Sequence, residues 1–328
     1  MEQIKKGALW VYCEVQENEL LPVGLQLLGR GKTLAAESGR ALYAVVLGNV
    51  SKESIKLLYA CGADEVIYST GSALNEKLEK PYADCLINLA NEFEPDILLV
   101  GATPFGRAFA PRVAAALQTG LTADCTELSI EEETGLLLQT RPAFGGNMMA
   151  TIRTATNRPQ MATARPGVLP LPEPMEVEDR EPVTFTYEGE DSVVKLLKET
   201  AISRGEDISQ SKIIVAAGRG IGQKKNLKLV KALADKLGGQ VGSTRPLVDM
   251  GFCPYSGQIG QTGYSVAPDL LICCGISGAV QHLAGIGGAK KIIAINTDPK
   301  APIFAVADYK IVGDCVTVLE NILKAMED

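Results

Sequence analysis

The chain carries a single histidine, His282, within the stretch CGISGAVQHLAG at residues 274–285. Three glycines, Ser277 and Gln281 surround it, directly behind the apolar run LLICC. No Ser–His–Asp spacing is readable around it, and one imidazole cannot build a metal cluster. Two roles remain open. His282 is either a packed structural side chain or a contact to a cofactor, beside a group that turns anionic on reduction. Three other stretches of the second half, AAGRGIG, VGSTRPLVD and IGQTG, have a similar make-up. Each joins a small residue, which lets backbone approach closely, to one or two donors. Arg219 and Arg245 can hold a phosphate or lie over an aromatic ring. Ser243, Thr244, Thr262 and Ser277 supply hydroxyls, and Gln261 and Gln281 supply amides. A helix N-terminus expected near Ser277 would add free backbone N–H groups for an anion. The implied ligand is long, flat in part and anionic, and a dinucleotide fits better than a small metabolite.

Other motifs are weaker. GRGKT at 29–33 resembles the end of a phosphate loop, but the required glycine is absent, since residue 26 is Gln26, and the stretch reads as mid-helix. GRGIG at 218–222 follows a strand and is expected to open a helix, yet its spacing is not G-x-G-x-x-G. None of the eight cysteines forms a C-x-x-C pair, which weakens zinc and iron–sulfur readings. They read as buried inert thiols.

These residues must be positioned by folded elements, and the chain has enough of them. At 328 residues it suits two domains, and its apolar content of 46% with only 5% aromatics fits α/β cores of Val, Ile, Leu and Ala. WVYCEV, ALYAVVL, EVIYS and DILLVGA read as short buried strands, separated by helical segments such as SIKLLYACG and PFGRAFAPRVAAAL. That alternation means parallel pairing with both faces of a sheet covered. Between about 123 and 165, CTELSI, GLLLQT, NMMATIR and QMATAR suggest added strands, expected to be antiparallel. The run from Pro166 to about residue 192, rich in proline and acids, reads as an extended arm or linker. A second α/β pattern begins near 205, with SKIIVAAG, DLLICCGI and KKIIAIN as strands and CVTVLENILKAMED as a closing helix. The expected organisation is an N-terminal parallel-sheet α/β domain with added strands over 1–205, arm included, and a C-terminal doubly wound domain over 206–328.

A net charge of −7 argues against nucleic acid or an anionic membrane as partner, because both need a basic face. No apolar run approaches a membrane span. The start, MEQIKKGALWVYCEV, reads as a first strand and not as a signal peptide, so a cytoplasmic protein is expected.

PDLLICCGISGAVQHLAG and AINTDPKAPIFAVADYKIVGD closely resemble the signature of the electron transfer flavoprotein alpha subunit. VGSTRPLVDMG and GQIGQTG follow the same family in the same order, and TRPAFGGNMMATI at 140–152 is similar to forms from anaerobic bacteria. The resemblance implies one FAD in the C-terminal domain and a beta subunit holding AMP or a second FAD. It implies electron transfer between dehydrogenases, of the acyl-CoA dehydrogenase type, and an acceptor. Some anaerobic members bifurcate electrons from NADH between ferredoxin and such a dehydrogenase, and the TRPAFGGN block tilts the expectation that way. By motif, the FAD contacts would be Arg219, Thr244, Arg245, Gln261, Thr262 with the adjacent Ile259 and Gly260, and Ser277, Gly278, Ala279, Val280, Gln281 and His282, with Asn296 and Asp314. Relatives often place a small residue and then Ser before the arginine. Here Ser243 precedes Thr244, which leaves open which hydroxyl bonds the cofactor. Cys315 stands where relatives tend to have Leu, and a backbone contact there would survive. His282 would sit at the pyrimidine edge of the flavin, with Arg245 over or beside the ring. The competing class is a nicotinamide-dependent dehydrogenase on a related fold, which would need an acid or base that the second half offers only in His282. A scaffold binding a non-redox nucleotide is the third.

Overall fold

The computed structural model describes residues 4–143, 148–189, 194–198 and 208–326. They form two compact α/β units divided near residue 200. The expected boundary at 205/206, residues 144–147 of the TRPAFGGN block and residues 190–192 of the expected arm lie outside the described residues.

The first unit is organised by β1 (Leu9–Tyr12), whose four side chains are all buried. Because successive side chains point to opposite faces, Leu9 and Val11 enter one core while Trp10 and Tyr12 enter the other. The hairpin β2 (Val15–Gln16) and β3 (Glu19–Leu20) turns through Glu17 and Asn18, both left-handed, as a two-residue hairpin turn of this twist requires. Then come α1 (Pro22–Ser38), β4 (Leu42–Leu47), α2 (Lys52–Ala60), β5 (Glu65–Thr70), α3 (Glu79–Phe93), β6 (Ile97–Gly101) and α4 (Pro104–Ala116). Leu27, Leu28 and Leu34 of α1 and Leu58 of α2 pack on one face of the sheet, and Leu86 of α3 with Phe109 and Val113 of α4 on the other. GRGKT lies inside α1, as its sequence predicts.

The remaining strands are β7 (Leu121–Cys125), β8 (Glu127–Ile130), β9 (Leu137–Ala143), β10 (Met148–Ile152), β11 (Gln160–Ala164) and β12 (Val183–Thr186). The main sheet runs β12-β5-β4-β1-β6-β11-β7, with every pair parallel, and a separate sheet runs β10-β9-β8. Two expectations are corrected here. QMATAR is no added antiparallel strand: β11 sits between β6 and β7 with all five residues buried, because its small and apolar side chains suit a strand covered on both faces. The proline-rich run is also not entirely an arm. Immediately after Pro182 the chain becomes β12, an edge strand, the position where a preceding proline costs no ladder bond.

Residues 165–182 between them carry no regular structure, yet they are fastened to the unit. Leu169 and Val177 pack on the core, the Met175 N–H donates to the Ala60 carbonyl at 3.0 Å, and Asp179 pairs with Lys56 at 2.5 Å.

The second unit contains β13 (Ile213–Ala217), α5 (Leu227–Leu237), β14 (Gln240–Ser243), α6 (Arg245–Asp249), β15 (Leu270–Cys274), α7 (Val280–Leu283), β16 (Ile292–Asn296), β17 (Tyr309–Val312) and α8 (Cys315–Ala325). Its sheet order is β14-β13-β15-β16-β17, all parallel. Val230 and Leu233 of α5 and Leu319 of α8 cover one face, while Ile259, Ile286, Ile303 and Phe304 cover the other. GRGIG does not open a helix directly. It forms a 3-10 turn at Arg219–Ile221, a second turn follows at Lys224–Asn226, and α5 begins only at Leu227. Among the described residues no helix is long and apolar enough to cross a membrane.

The Pro172 ring lies over Gly29 of α1, where an added Cβ would stand 3.1 Å from it. Gly29→Leu is expected to lift the 165–182 segment, so that limited proteolysis cuts there roughly tenfold faster. The urea midpoint should barely move, since replacing a helical glycine returns about 1 kcal/mol of helix propensity.

Candidate functional site

In an open parallel sheet, ligands bind where neighbouring connections leave in opposite directions, beyond the carboxyl ends of the strands. The two units meet this rule differently. In the first, the reversal lies between β1 and β6. There the buried Glu14 accepts from Lys77 Nζ at 2.7 Å and from the Thr103 hydroxyl, so side chains of the unit bridge the two strand ends. In the second, the reversal lies between β13 and β15, and glycines line it.

A Cβ on Gly218 would lie 2.4 Å from the Gly275 carbonyl oxygen, and one on Gly220 would lie 2.8 Å from the Gly275 Cα. Gly275 itself has φ 62°. The loops after β13 and β15 therefore touch backbone to backbone, which only glycine permits. Gly278 repeats the device, since a Cβ there would meet the Ile303 nitrogen at 2.2 Å.

The carboxyl ends of all five strands carry residues that the sequence singled out. Exposed Arg219 follows β13. Ser243 ends β14 and Thr244 precedes α6; both are buried. The Ser243 hydroxyl points toward the Gly257 carbonyl at 3.4 Å, while the Thr244 hydroxyl makes no capping bond to α6. Arg245, exposed, is the first residue of α6, and its Nε lies a loose 3.5 Å from Asp249. Ser277, Ala279, Val280 and Gln281 follow β15 and are exposed. The helix expected near Ser277 begins later, at Val280, and is one turn long, because Gly278 is left-handed and breaks the run before it.

The 258–262 turn closes the site from the side. The Ile259 N–H donates to the Ser243 carbonyl at 2.8 Å, and the Gln261 N–H donates to the Gln281 carbonyl at 2.7 Å. A Cβ on Gly260 would strike that same carbonyl at 2.7 Å.

His282 is buried, only 6% exposed. Its Nδ1 lies 3.0 Å from the Ile259 carbonyl, which can only accept, so Nδ1 carries the proton. Nε2 is then bare in the neutral ring, and it has no hydrogen-bond partner among the described residues. Burial pulls the imidazole's pKa below its usual value, against the opposing pull of the Ile259 hydrogen bond. A buried Nε2 left unpartnered among the described residues can accept or give a bond to a ligand, which keeps the contact to a cofactor open for His282.

Asn296 and Asp314 are already engaged. Asn296 Nδ2 donates to the Ile276 carbonyl at 2.8 Å and its Oδ1 accepts from the Asp298 N–H at 2.9 Å, which fixes the loop carrying Ser277. Asp314 caps α8, accepting from the Thr317 N–H at 2.9 Å and the Thr317 hydroxyl at 3.0 Å; these bonds hold its carboxyl below the usual range. Cys315 is buried, with its thiol 3.4 Å from the Gly220 carbonyl, so α8 is tied to the glycine loop. Sequence reasoning missed Gly275 as the partner of the GRG loop, and missed Tyr255 and Gln258, which hold Thr262. Gln258 was visible within GQIGQTG, whereas Tyr255 lies before the motif.

Gly220→Ala must push two backbones apart and is expected to cost about 1–3 kcal/mol in urea denaturation. Gly287→Ala, where an added Cβ meets nothing within 4 Å, should stay near neutral. Equal costs at the two positions would discount the backbone contact.

The arrangement agrees with what known proteins show. Residues 9–190 match the electron transfer flavoprotein domain, and residues 207–287 match the electron transfer flavoprotein FAD-binding domain. The chain is 48% identical over 321 residues to protein FixB of Clostridium saccharobutylicum, covering 96% of this chain and 95% of the relative. It is 44% identical over 333 residues to the electron transfer flavoprotein subunit alpha of Clostridium acetobutylicum, covering 98% of each. It is also 40% identical over 324 residues to the lactate dehydrogenase (NAD(+),ferredoxin) subunit LctC of Acetobacterium woodii, covering 97% of this chain and 76% of the relative. A parallel α/β unit, a second unit whose strand-end loops are packed glycine on glycine, and matches over nearly the whole length place the chain in the electron transfer flavoprotein family, among its alpha subunits.

Proposed function

We propose that the second unit binds one FAD across the carboxyl ends of β13 to β17. The chain then works as an FAD-bearing half of a heterodimer with a beta subunit, which carries AMP or a second FAD. The observation that carries this reading is the buried, unpartnered Nε2 of His282, with its tautomer fixed by Ile259. The glycine contacts support it, because they bring the loops after β13 and β15 together at the strand ends where open parallel sheets bind dinucleotides. The bound FAD supplies electron acceptance and donation at its isoalloxazine ring.

The chain's residues provide a site that favours negative charge on that ring. Arg245 is exposed and only loosely held by Asp249, so its guanidinium is free to turn onto a ligand. Nε2 of His282 presents a lone pair while the ring is neutral and becomes a donor once it takes up a proton. Negative charge nearby raises the imidazole's pKa and draws that proton to Nε2. Thr244 fits as the hydroxyl that bonds the cofactor, since Ser243 is turned toward Gly257. Arg219 and the exposed Ser277 and Gln281 supply the outer contacts, with backbone groups of Ile259, Gly260, Ala279 and Val280 between them. Asn296 and Asp314 contribute by holding loops, and Cys315 by its backbone.

The electrons pass between a dehydrogenase, of the acyl-CoA dehydrogenase type, and an acceptor. A relative whose name includes NAD(+) and ferredoxin supports a part in electron bifurcation, with NADH acting at the beta-subunit flavin. The dehydrogenase alternative is disfavoured, because the matches over both units are to electron transfer flavoprotein domains.

A charge-assisted contact worth about 1.5–3 kcal/mol, made only to the reduced ring, raises a one-electron potential by roughly 60–130 mV. The heterodimer purified with FAD should show flavin absorption that bleaches with dithionite, and Arg245→Ala should lower its first-electron potential by that amount in a dye-coupled titration. A colourless protein that binds NAD instead would sink the reading, and an unchanged potential would remove Arg245 from it.

The His282 account gives a pH dependence with a defined sign. Before reduction the imidazole is neutral, and after it the pKa is higher, so a proton is taken up with the electron at pH values between the two. The first-electron potential should therefore fall as pH rises through that window, with a slope of up to about 59 mV per pH unit. In His282→Asn the slope should flatten, which potentiometry at a series of pH values measures.

A further inference from the structure

Thr262 is gripped from two sides by side chains that the flavin reading does not use. The Tyr255 hydroxyl donates to the Thr262 carbonyl at 2.7 Å, and Gln258 Nε2 donates to Thr262 Oγ1 at 3.0 Å. Gln258 is buried, whereas Tyr255 is 59% exposed. The Tyr255 ring also stands against Tyr264, centroids 6.4 Å apart.

Two physical points give this grip a purpose. Gln261 and Thr262 lie between Gly260, at φ 141°, and Gly263, so the turn is intrinsically loose. A tyrosine hydroxyl bonded to a carbonyl at the surface adds little stability, since water serves the same carbonyl nearly as well. What it does add is a fixed orientation of the turn. A hydroxyl that accepts from Gln258 must also aim its own proton elsewhere. Thr262 is exposed, so that proton is open to a partner from outside the chain.

We propose that Tyr255 is a positioning residue: with Gln258 as the second arm, it holds Thr262 so that the threonine hydroxyl donates to the bound flavin. This rests on the FAD reading above. Thr262 makes the contact, and Tyr255 acts through it.

The test uses the full chain with its beta subunit and FAD, as wild type, Tyr255→Phe, Thr262→Val and the double variant. FAD affinity is read from flavin fluorescence and the first-electron potential from a dye-coupled titration. Tyr255→Phe is expected to weaken FAD binding about three- to tenfold and to lower the potential, with the chain's thermal midpoint unchanged. In the Thr262→Val background the same substitution should change neither FAD affinity nor potential further. Wild-type behaviour of Tyr255→Phe, or an undiminished effect of it in the Thr262→Val background, overturns the proposal while leaving the FAD reading intact. A wild-type heterodimer that takes up no FAD overturns both.

Discussion

One hydrogen bond organises the second unit: that between His282 Nδ1 and the Ile259 carbonyl. A backbone carbonyl cannot donate, so the bond fixes which imidazole nitrogen carries the proton, and it does so before any ligand arrives. It also joins two segments that are 23 residues apart in sequence and whose chemistry is useful only together. The Gln261 N–H to Gln281 carbonyl bond beside it locks the same pair of segments a second time. The cost is a nitrogen with no partner among the described residues, in surroundings that disfavour the charged ring.

The geometry around this bond depends on the absence of side chains. His282 can reach Ile259 only if the turn at Gly260 lies against α7, where an added Cβ would strike the Gln281 carbonyl. A Cβ on Gly285 would in turn meet the Gly260 nitrogen at 2.5 Å. On the far side of β15, the contact of Gly218 and Gly220 with Gly275 sets how closely the first two loops approach. The first unit has the same reversal of strand order but bridges it with Glu14, Thr103 and Lys77. Equal topology thus gives a strand end tied by side chains in one unit and loops packed backbone to backbone in the other, and only the local residues decide which.

Much of this was legible in the sequence. β13 and β16 were visible as apolar runs rich in β-branched residues, β15 as the apolar run LLICC, and the site segments as glycines beside donors, because these patterns are local. What escaped was non-local. QMATAR looks like any short β-run, and nothing within it says that it enters the parallel sheet between β6 and β7. VTFT, behind a series of prolines, gave no sign that β5 needed a neighbour. The late start of α5 depends on two 3-10 turns whose residues are compatible with a helix. The bonds that Asn296 and Asp314, read as cofactor contacts by motif, also make within the chain, to a loop and a helix end, were not visible in the sequence. The pairing of Gly220 with Gly275 spans 55 residues, and no spacing rule covers it.

The protonation states in the second unit bear on the kind of chemistry it supports. Burial pushes the Cys273 thiol up to about 12, drives Cys274 well above its usual value, and raises Cys253 and Cys315. The same effect moves His282 toward its neutral form. Asp314, held low, is engaged with Thr317. No thiol of the unit is poised as a nucleophile near neutral pH, and the carboxylate that the sequence placed in the site is ionised and spent on a helix cap. General acid–base catalysis works best with a group whose pKa lies near the working pH, and breaking a carbon–hydrogen bond of a substrate would call on one. Moving an electron onto a ring requires only that the ring's new charge meet donors already in place. A site whose buried groups resist ionisation and whose exposed guanidinium groups, Arg219 and Arg245, stand at the strand ends fits the proposed carriage of electrons, with bond making left to partners.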